Sequence, residues 1–252
     1  MKKVKLNASY IQRHCGDTAC VFEEVTSTNE IIKAYGRQGA PAWTMAVAAA
    51  QTAGRGRGNH SFYSPAVTGV YLSVLLRPHE TFAPADMTAT AAVAAVDAMK
   101  ELGADGLGIK WMNDVYRDGK KVAGILAECV EDATGRFVVL GIGVNLLPPR
   151  EGFPEELTHR AGSLLESTRD RFLREKMAIG FFRHLEKRLQ NSSGVYAAYR
   201  QHLFLLGQSV RYAGDTVTVT DLLPDFRLEV TLPDGTVKYL DSGEVSLSTD
   251  LK

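Results

Sequence analysis

Only three cysteines occur in the chain, Cys15, Cys20 and Cys129, and no two share a CxxC spacing. An odd count at such separations argues against a disulfide framework or a thiolate zinc site and suits a reducing, cytoplasmic compartment. Charge of one sign is also missing: 29 Lys and Arg balance 29 Asp and Glu. Nucleic-acid binders usually carry a basic excess, so the balance speaks against one. No apolar run is long enough for a membrane span, since the alanine-rich stretch 89–96 is followed by Asp97 and Lys100. The basic start, Met1 to Asn7, has no apolar segment behind it, and so is not read as a signal peptide. His14, His60, His79, His159, His184 and His202 are scattered without ligand spacing. Neither GxxxxGK[ST] nor GxGxxG occurs. What remains is an ordinary globular composition, 45% apolar and 23% charged over 252 residues, enough for one large domain with or without a small one.

Against this background two glycine-rich basic segments stand out. The first reads Gly54-Arg55-Gly56-Arg57-Gly58; the second runs Lys110-Trp111-Met112-Asn113-Asp114 and then Gly119-Lys120-Lys121-Val122-Ala123-Gly124-Ile125-Leu126. Glycine lets main-chain N–H groups approach a ligand, and arginine adds a planar fork of donors suited to phosphate or carboxylate. A loop that orders around an anion needs both; a merely flexible loop needs neither arginine. Lys110 and Lys121 are expected on neighbouring strands of one hairpin. Asp114, on the connecting turn, can pair a lysine or hold a metal.

The periodicities predict a helix from Ser27, with Ser27 and Glu30 as a capping box and Gly36 as its stop. Strands are predicted at Thr44–Ala50 and Gly69–Leu76, followed by an alanine-rich helix over Pro84–Leu102. Consecutive strands and hairpins follow at Leu107–Met112, Val115–Tyr116, Lys121–Val130 and Arg136–Leu147, with turns at Asp118-Gly119 and Thr134-Gly135. Hairpins without intervening helices imply an antiparallel or mixed sheet. After an irregular stretch from Pro148 to about Glu166 come helices over Arg169–Leu189 and Val195–Leu206. Short β runs at 209–212, 216–220, 226–232 and 236–240 then form a small all-β module packed on the main domain. Cys129 is expected to pack inside its strand.

Read in order, Ser27-Thr28-Asn29, Gln51 through Gly58, Lys110 through Tyr116, Lys121 through Glu128 and Gly141-Ile142-Gly143-Val144-Asn145-Leu146 closely resemble the motifs of biotin protein ligases. The resemblance spans residues 27–147 and continues in Gly243-Glu244-Val245-Ser246-Leu247. It implies an α+β fold: a class II aminoacyl-tRNA synthetase-like mixed sheet with flanking helices, residues 1–206, and a small SH3-like β-barrel, residues 207–252. It implies an enzyme that activates biotin with ATP and Mg²⁺ to biotinyl-5′-AMP and transfers biotin to a lysine of a biotin carboxyl carrier protein. By the same resemblance, Ser27, Thr28, Asn29, Gln51, Gly54, Arg55, Arg57, Lys121 and Gly124 contact biotin. Arg55, Gly56, Arg57, Phe62, Asn113, Lys121 and Asn145 contact ATP or the adenylate. Lys121, Arg57 and Asp114 are the catalytic residues, Asp114 also as a magnesium ligand.

One departure is visible. The family loop continues with further basic residues and a tryptophan, where this chain has Gly58-Asn59-His60-Ser61-Phe62. Phe62 lacks an indole N–H, so a looser hold on the adenylate is expected. Some relatives carry a helix-turn-helix repressor domain ahead of the ligase. The 26 residues before Ser27 are too few for one, which makes a monofunctional ligase without DNA binding the expectation. Lipoate ligases and octanoyltransferases share the catalytic fold and are the competing reading. The expected partners are biotin, ATP and the carrier protein, with no nucleic acid and no membrane. The enzyme is expected as a monomer or as a homodimer, in which the strand around 136–147 could serve as a pairing edge.

Overall fold

The computed structural model describes residues 5–77, 84–132, 135–241 and 246–247. His79, Thr134 and Gly243-Glu244-Val245 fall outside the described residues. The chain opens with a helix, α1 (Ala8–Cys15), and a strand, β1 (Ala19–Phe22), that the sequence reading did not anticipate. Asn7 caps α1 by accepting the Tyr10 N–H, and Gly16, at φ 87°, ends it. Ile11 and Cys15 are the residues that α1 buries. Burial pushes the Cys15 thiol up to about 12.

The helix α2 (Thr28–Arg37) follows. Ser27 occupies its N-cap position, but no capping bond forms through the side chain. Glu30 turns instead toward Lys33 and Arg55, so the expected capping box is absent. Gly36 does not stop the helix either. It lies inside, where a Cβ would come within 2.4 Å of the Phe137 ring. The chain turns at Gly39, φ 80°.

The remaining strands are β2 (Met45–Ala48), β3 (Gly69–Leu76), β4 (Leu107–Lys110), β5 (Asp114–Arg117), β6 (Lys120–Asp132) and β7 (Gly135–Asn145). They form one seven-stranded mixed sheet in the order β1-β2-β3-β7-β6-β5-β4, with β1 and β2 parallel and the rest antiparallel. Two expectations fail here. Lys110 and Lys121 are not on adjacent strands, because β5 runs between β4 and β6. The strand at 136–147 is not an edge, because β7 pairs with both β3 and β6.

The pleat sorts side chains by parity. Val70, Leu72, Val74 and Leu76 of β3 join Leu140, Ile142 and Val144 of β7 in the main core. The helices α3 (Pro84–Glu101) and α4 (Leu173–Gln190) supply Ala91, Ala95, Ala98, Met177 and Phe181 to the same core. Alanine on α3 and Gly180 on α4 allow close approach: a Cβ on Gly180 would sit 3.3 Å from that of Ala98. Arg188 on α4 donates two bonds to Asp97 on α3, at 2.9 and 2.8 Å. On the opposite face Leu75, Phe137, Val139 and Ala46 make a smaller cluster under Ile32 of α2.

A short helix, α5 (Val195–His202), leads to Gly207, φ 74°, and a second sheet. Its strands are β8 (Ser209–Tyr212), β9 (Asp215–Leu222), β10 (Leu228–Thr231), β11 (Val237–Leu240) and β12 (Ser246–Leu247), ordered β11-β10-β9-β8-β12, all antiparallel. This module is tied to the main sheet. Trp111 donates its indole N–H to the Phe226 carbonyl at 2.8 Å, and Tyr196 its hydroxyl to the Leu222 carbonyl at 2.6 Å. Cys129, expected to pack in its strand, is instead exposed, with the Arg136 guanidinium 3.2 Å from its sulfur. Among the described residues no helix is long and apolar enough to cross a membrane.

Candidate functional site

Three glycines floor the site. Gly124 on β6 pairs with Gly143 on β7, and Gly141 lies opposite Ser73 on β3, all on the sheet face turned toward α2. The missing Cβ atoms are the point. A methyl on Gly141 would sit 2.0 Å from Asn29 Oδ1, and one on Gly143 would sit 2.4 Å from the Phe62 ring. The bare backbone admits side chains, or a ligand, directly onto the sheet.

One end of this floor is polar and neutral. Ser27, Thr28 and Asn29, at the start of α2, are all buried. Gln51 Oε1 accepts from the Thr28 N–H at 2.8 Å and lies 3.2 Å from the Thr28 hydroxyl. Gln51 Nε2 donates to Ser64 Oγ at 3.0 Å, and Ser64 donates to the Phe62 carbonyl at 2.9 Å. Ser73, fully buried, reaches both Asn29 Oδ1 and the Thr28 hydroxyl.

The other end is charged. Lys121 Nζ lies 2.7 Å from Asp114 Oδ1 and 5.8 Å from the centre of the Phe62 ring. Arg57 reaches Asn113 Oδ1 at 3.4 Å, and Asn113 donates to the Ile125 carbonyl at 3.0 Å. Lys121 is fixed through its backbone. Its N–H donates to the Arg160 carbonyl and its carbonyl accepts from Gly162, both at 2.8 Å. The irregular stretch after Pro149 therefore clamps the lysine, a role its sequence did not betray. Tyr199, fully buried, donates to the Met112 carbonyl at 3.0 Å from below.

Between the two ends runs the glycine-rich loop. It folds back on itself: Phe62 N–H donates to Gly54 O at 2.9 Å, and Gly56 N–H to His60 O at 2.7 Å. Gly58, φ 59°, makes the reversal. A Cβ on Gly54 would meet the Phe62 carbonyl at 2.5 Å. The strap carries Phe62 across Gly124 and Gly143.

The structure thus gathers Ser27, Thr28, Asn29, Gln51, Gly54, Gly56, Arg57, Phe62, Asn113, Asp114, Lys121 and Gly124 around one floor. It does not bring Arg55 to the charged end. Arg55 pairs with Glu30 on α2 at 2.5 Å, and its side chain is half exposed. Lys33, and secondarily Arg55, hold the Glu30 carboxyl below the usual range. Asn145 is buried at the end of β7, where its carbonyl accepts the Leu164 N–H at 2.8 Å. Ser73, Ser64, Lys33 and Glu128 were missed as site residues. Glu128 Oε2 accepts from Asn29 at 2.7 Å and its Oε1 pairs with Lys33 at 2.7 Å.

Comparison with known proteins fits this geometry. The model of the biotin/lipoate A/B protein ligase family matches residues 21–145. The biotin–[acetyl-CoA-carboxylase] ligase of Mycobacterium tuberculosis is 34% identical over 201 residues, 76% of this chain and 73% of that protein. The chain belongs to the biotin protein ligase family. The bifunctional ligase/repressor BirA of Bacillus subtilis is 34% identical over 178 residues, 70% of this chain. The chain spans 55% of the length of that relative and 54% of its Bacillus spizizenii counterpart. Among solved structures, the biotin protein ligase from Aquifex aeolicus, in complex with biotin and ATP, superposes with a TM-score of 0.76 at 28% identity. The match covers 92% of this chain and 98% of the Aquifex chain. As a biotin protein ligase family member, the chain carries its glycine floor, its strap and its hydroxyl-lined end within the segment matched by the family model.

Proposed function

We propose that this chain activates biotin with ATP to biotinyl-5′-AMP and transfers the biotinyl group to a lysine of a biotin carboxyl carrier protein. The observation that carries this is the polarity of the floor. Neutral hydroxyl and amide groups gather at Thr28 and Gln51, and cations at Lys121 and Arg57, with the Phe62 ring along the way. That order suits a ligand with a cyclic urea head, an apolar body and a carboxylate tail. Ser27, Thr28, Asn29 and Gln51 would take the head, and Gly54, Gly124 and Phe62 the body.

At the tail, a carboxylate must approach a phosphate of like charge. Lys121 and Arg57 lower that repulsion and stabilise the charge that builds on the phosphoryl oxygens. Asp114 holds Lys121 in place and, once phosphate arrives, is free to face a cation. Arg55, Gly56, Asn113 and Asn145 would line the nucleotide side, with Arg55 leaving Glu30 to do so. Among the described residues no group of three or more His, Cys, Asp or Glu is placed to hold a metal. Asp114 would be the carboxylate that faces a magnesium ion brought in with the nucleotide. Such an ion would supply charge neutralisation at the phosphates.

The same reading assigns residues 1–206 to a catalytic domain of the class II aminoacyl-tRNA synthetase type and residues 207–252 to an SH3-like barrel. The turn at Gly207 and the antiparallel order of the second sheet support that division. Three free cysteines suit the cytoplasm. The deciding experiment measures pyrophosphate release from ATP. Release that requires biotin, and label transfer to a carrier domain with an intact acceptor lysine, are the expected results. Release driven by octanoate or lipoate instead would replace this reading with that of a lipoate-type ligase.

A further inference from the structure

Of the two strap arginines, Arg57 reaches the charged end and Arg55 does not. The strap is rooted where the Gln51 N–H donates to the Ser64 carbonyl at 3.1 Å. Above that root the backbone N–H groups of Gly56 and Phe62 bond within the strap itself, so side chains tie it to its walls. Arg55 makes the tie on the α2 side. Its guanidinium lies 2.5 Å from Glu30 Oε1, and both side chains are nearly half exposed.

The pair is arranged to open and re-form. Glu30 Oε1 also accepts from Lys33 at 3.0 Å, and Lys33 in turn donates to Glu128 Oε1 at 2.7 Å. When Arg55 departs, Glu30 keeps Lys33, and no carboxylate is stranded. A partly solvated ion pair is weak enough to open in solution. Glu30 has a firm base, in the first turn of α2 directly after Thr28 and Asn29, both buried. Arg55 has a loose one, between Gly54 and Gly56.

We propose that Glu30 is a catch for the strap: it competes with a ligand oxyanion, phosphate or carboxylate, for the Arg55 guanidinium, and so sets how tightly that ligand is held. The inference rests on the reading above that brings Arg55 from Glu30 to the ligand. A ligand that needs Arg55 binds with an affinity reduced by the fraction of chains in which the catch is open. Glutamine at position 30 keeps the shape, removes the charge-assisted bond to Arg55 and leaves Lys33 paired with Glu128. It should therefore raise affinity, a gain that a merely structural residue does not give.

The test is equilibrium titration of the full chain in two arms, with trypsin cleavage of the ligand-free strap as a separate readout. One arm adds biotin alone. The other adds a non-hydrolysable ATP analogue with magnesium to the biotin-saturated chain. Glu30→Gln should tighten the ligand that takes Arg55 by about threefold, the scale of a partly solvated pair. A gain for the analogue names phosphate as the competitor, and a gain for biotin names the carboxylate. Arg55→Ala should weaken the same ligand, and Glu30→Gln should have no effect in that background. Trypsin should cut the ligand-free strap after Arg57 about threefold faster in Glu30→Gln than in wild type. Equal or weaker binding of both ligands in Glu30→Gln overturns the catch. So does a gain that persists without Arg55, or an unchanged rate of cleavage. If Arg55→Ala binds both ligands as tightly as wild type, the reading that brings Arg55 to the ligand fails, and this inference with it.

Discussion

The two faces of the seven-stranded sheet are built from the same strands and have opposite characters. On β3, Val70, Leu72, Val74 and Leu76 point into the core beneath α3 and α4. Their neighbours Tyr71 and Ser73 point the other way, toward α2 and the glycine-rich strap, onto a floor of Gly124, Gly141 and Gly143. The first face excludes water with aliphatic carbon, the dominant favourable term in folding. The second gives up that packing for backbone access and a connected set of polar groups. Along β3 the polar positions share one parity, Tyr71 and Ser73, until Leu75 of that parity joins the smaller apolar cluster under Ile32.

The strongest way to break that contrast is Lys121→Ala. With Lys121 in the role proposed for it at the phosphoryl transition state, its loss should cut biotin-dependent pyrophosphate exchange by about a thousandfold. The melting temperature should fall by less than about 3 °C, because the pair it breaks is partly solvated. A large stability loss would mean that the front face also carries the fold. The mirror experiment is Leu72→Ala, which removes a fully buried side chain on the back face. Denaturant unfolding should register about 3 kcal/mol of destabilisation. Activity per folded molecule should stay as in wild type.

Gly141→Ala sharpens the comparison, because it adds one methyl 2.0 Å from Asn29 Oδ1 on the front face. Overpacking of about 2 kcal/mol should appear as weaker biotin binding by about thirtyfold. The smallest effect is a titration. The Glu30 carboxyl is held below its ordinary 4.5 chiefly by its bond to Lys33. A depressed acid contributes stability above the unfolded value, and that contribution is lost as pH falls through the folded one. Carbon-detected NMR of the Glu30 side chain should place its midpoint below 4.5, and Lys33→Met should move it upward.

Much of the architecture is legible along the chain. Gly69–Leu76 and Ser209–Tyr212 are strands with the boundaries the alternation predicts, and the alanine helix falls one residue from its predicted end. What failed were local rules overridden by packing. Glu30 had better partners than an N-cap backbone, and Gly36 served Phe137 rather than a helix stop. The elements α1 and β1 are short and carried no strong period. At the site, ordered motifs brought the right segments to attention. They could not disclose Ser73 and Glu128, which meet Asn29 from 44 and 99 residues away through cross-strand register. Nor could they disclose that residues 160–162 grip the Lys121 backbone.

The bond from Trp111 to the Phe226 carbonyl joins the terminal module to the residue three places before Asp114. Tyr199, whose ring abuts Phe226, grips the next carbonyl, that of Met112. Together they are two ties onto consecutive residues of one segment. The terminal module is thereby moored within three residues of the carboxylate that pairs with Lys121.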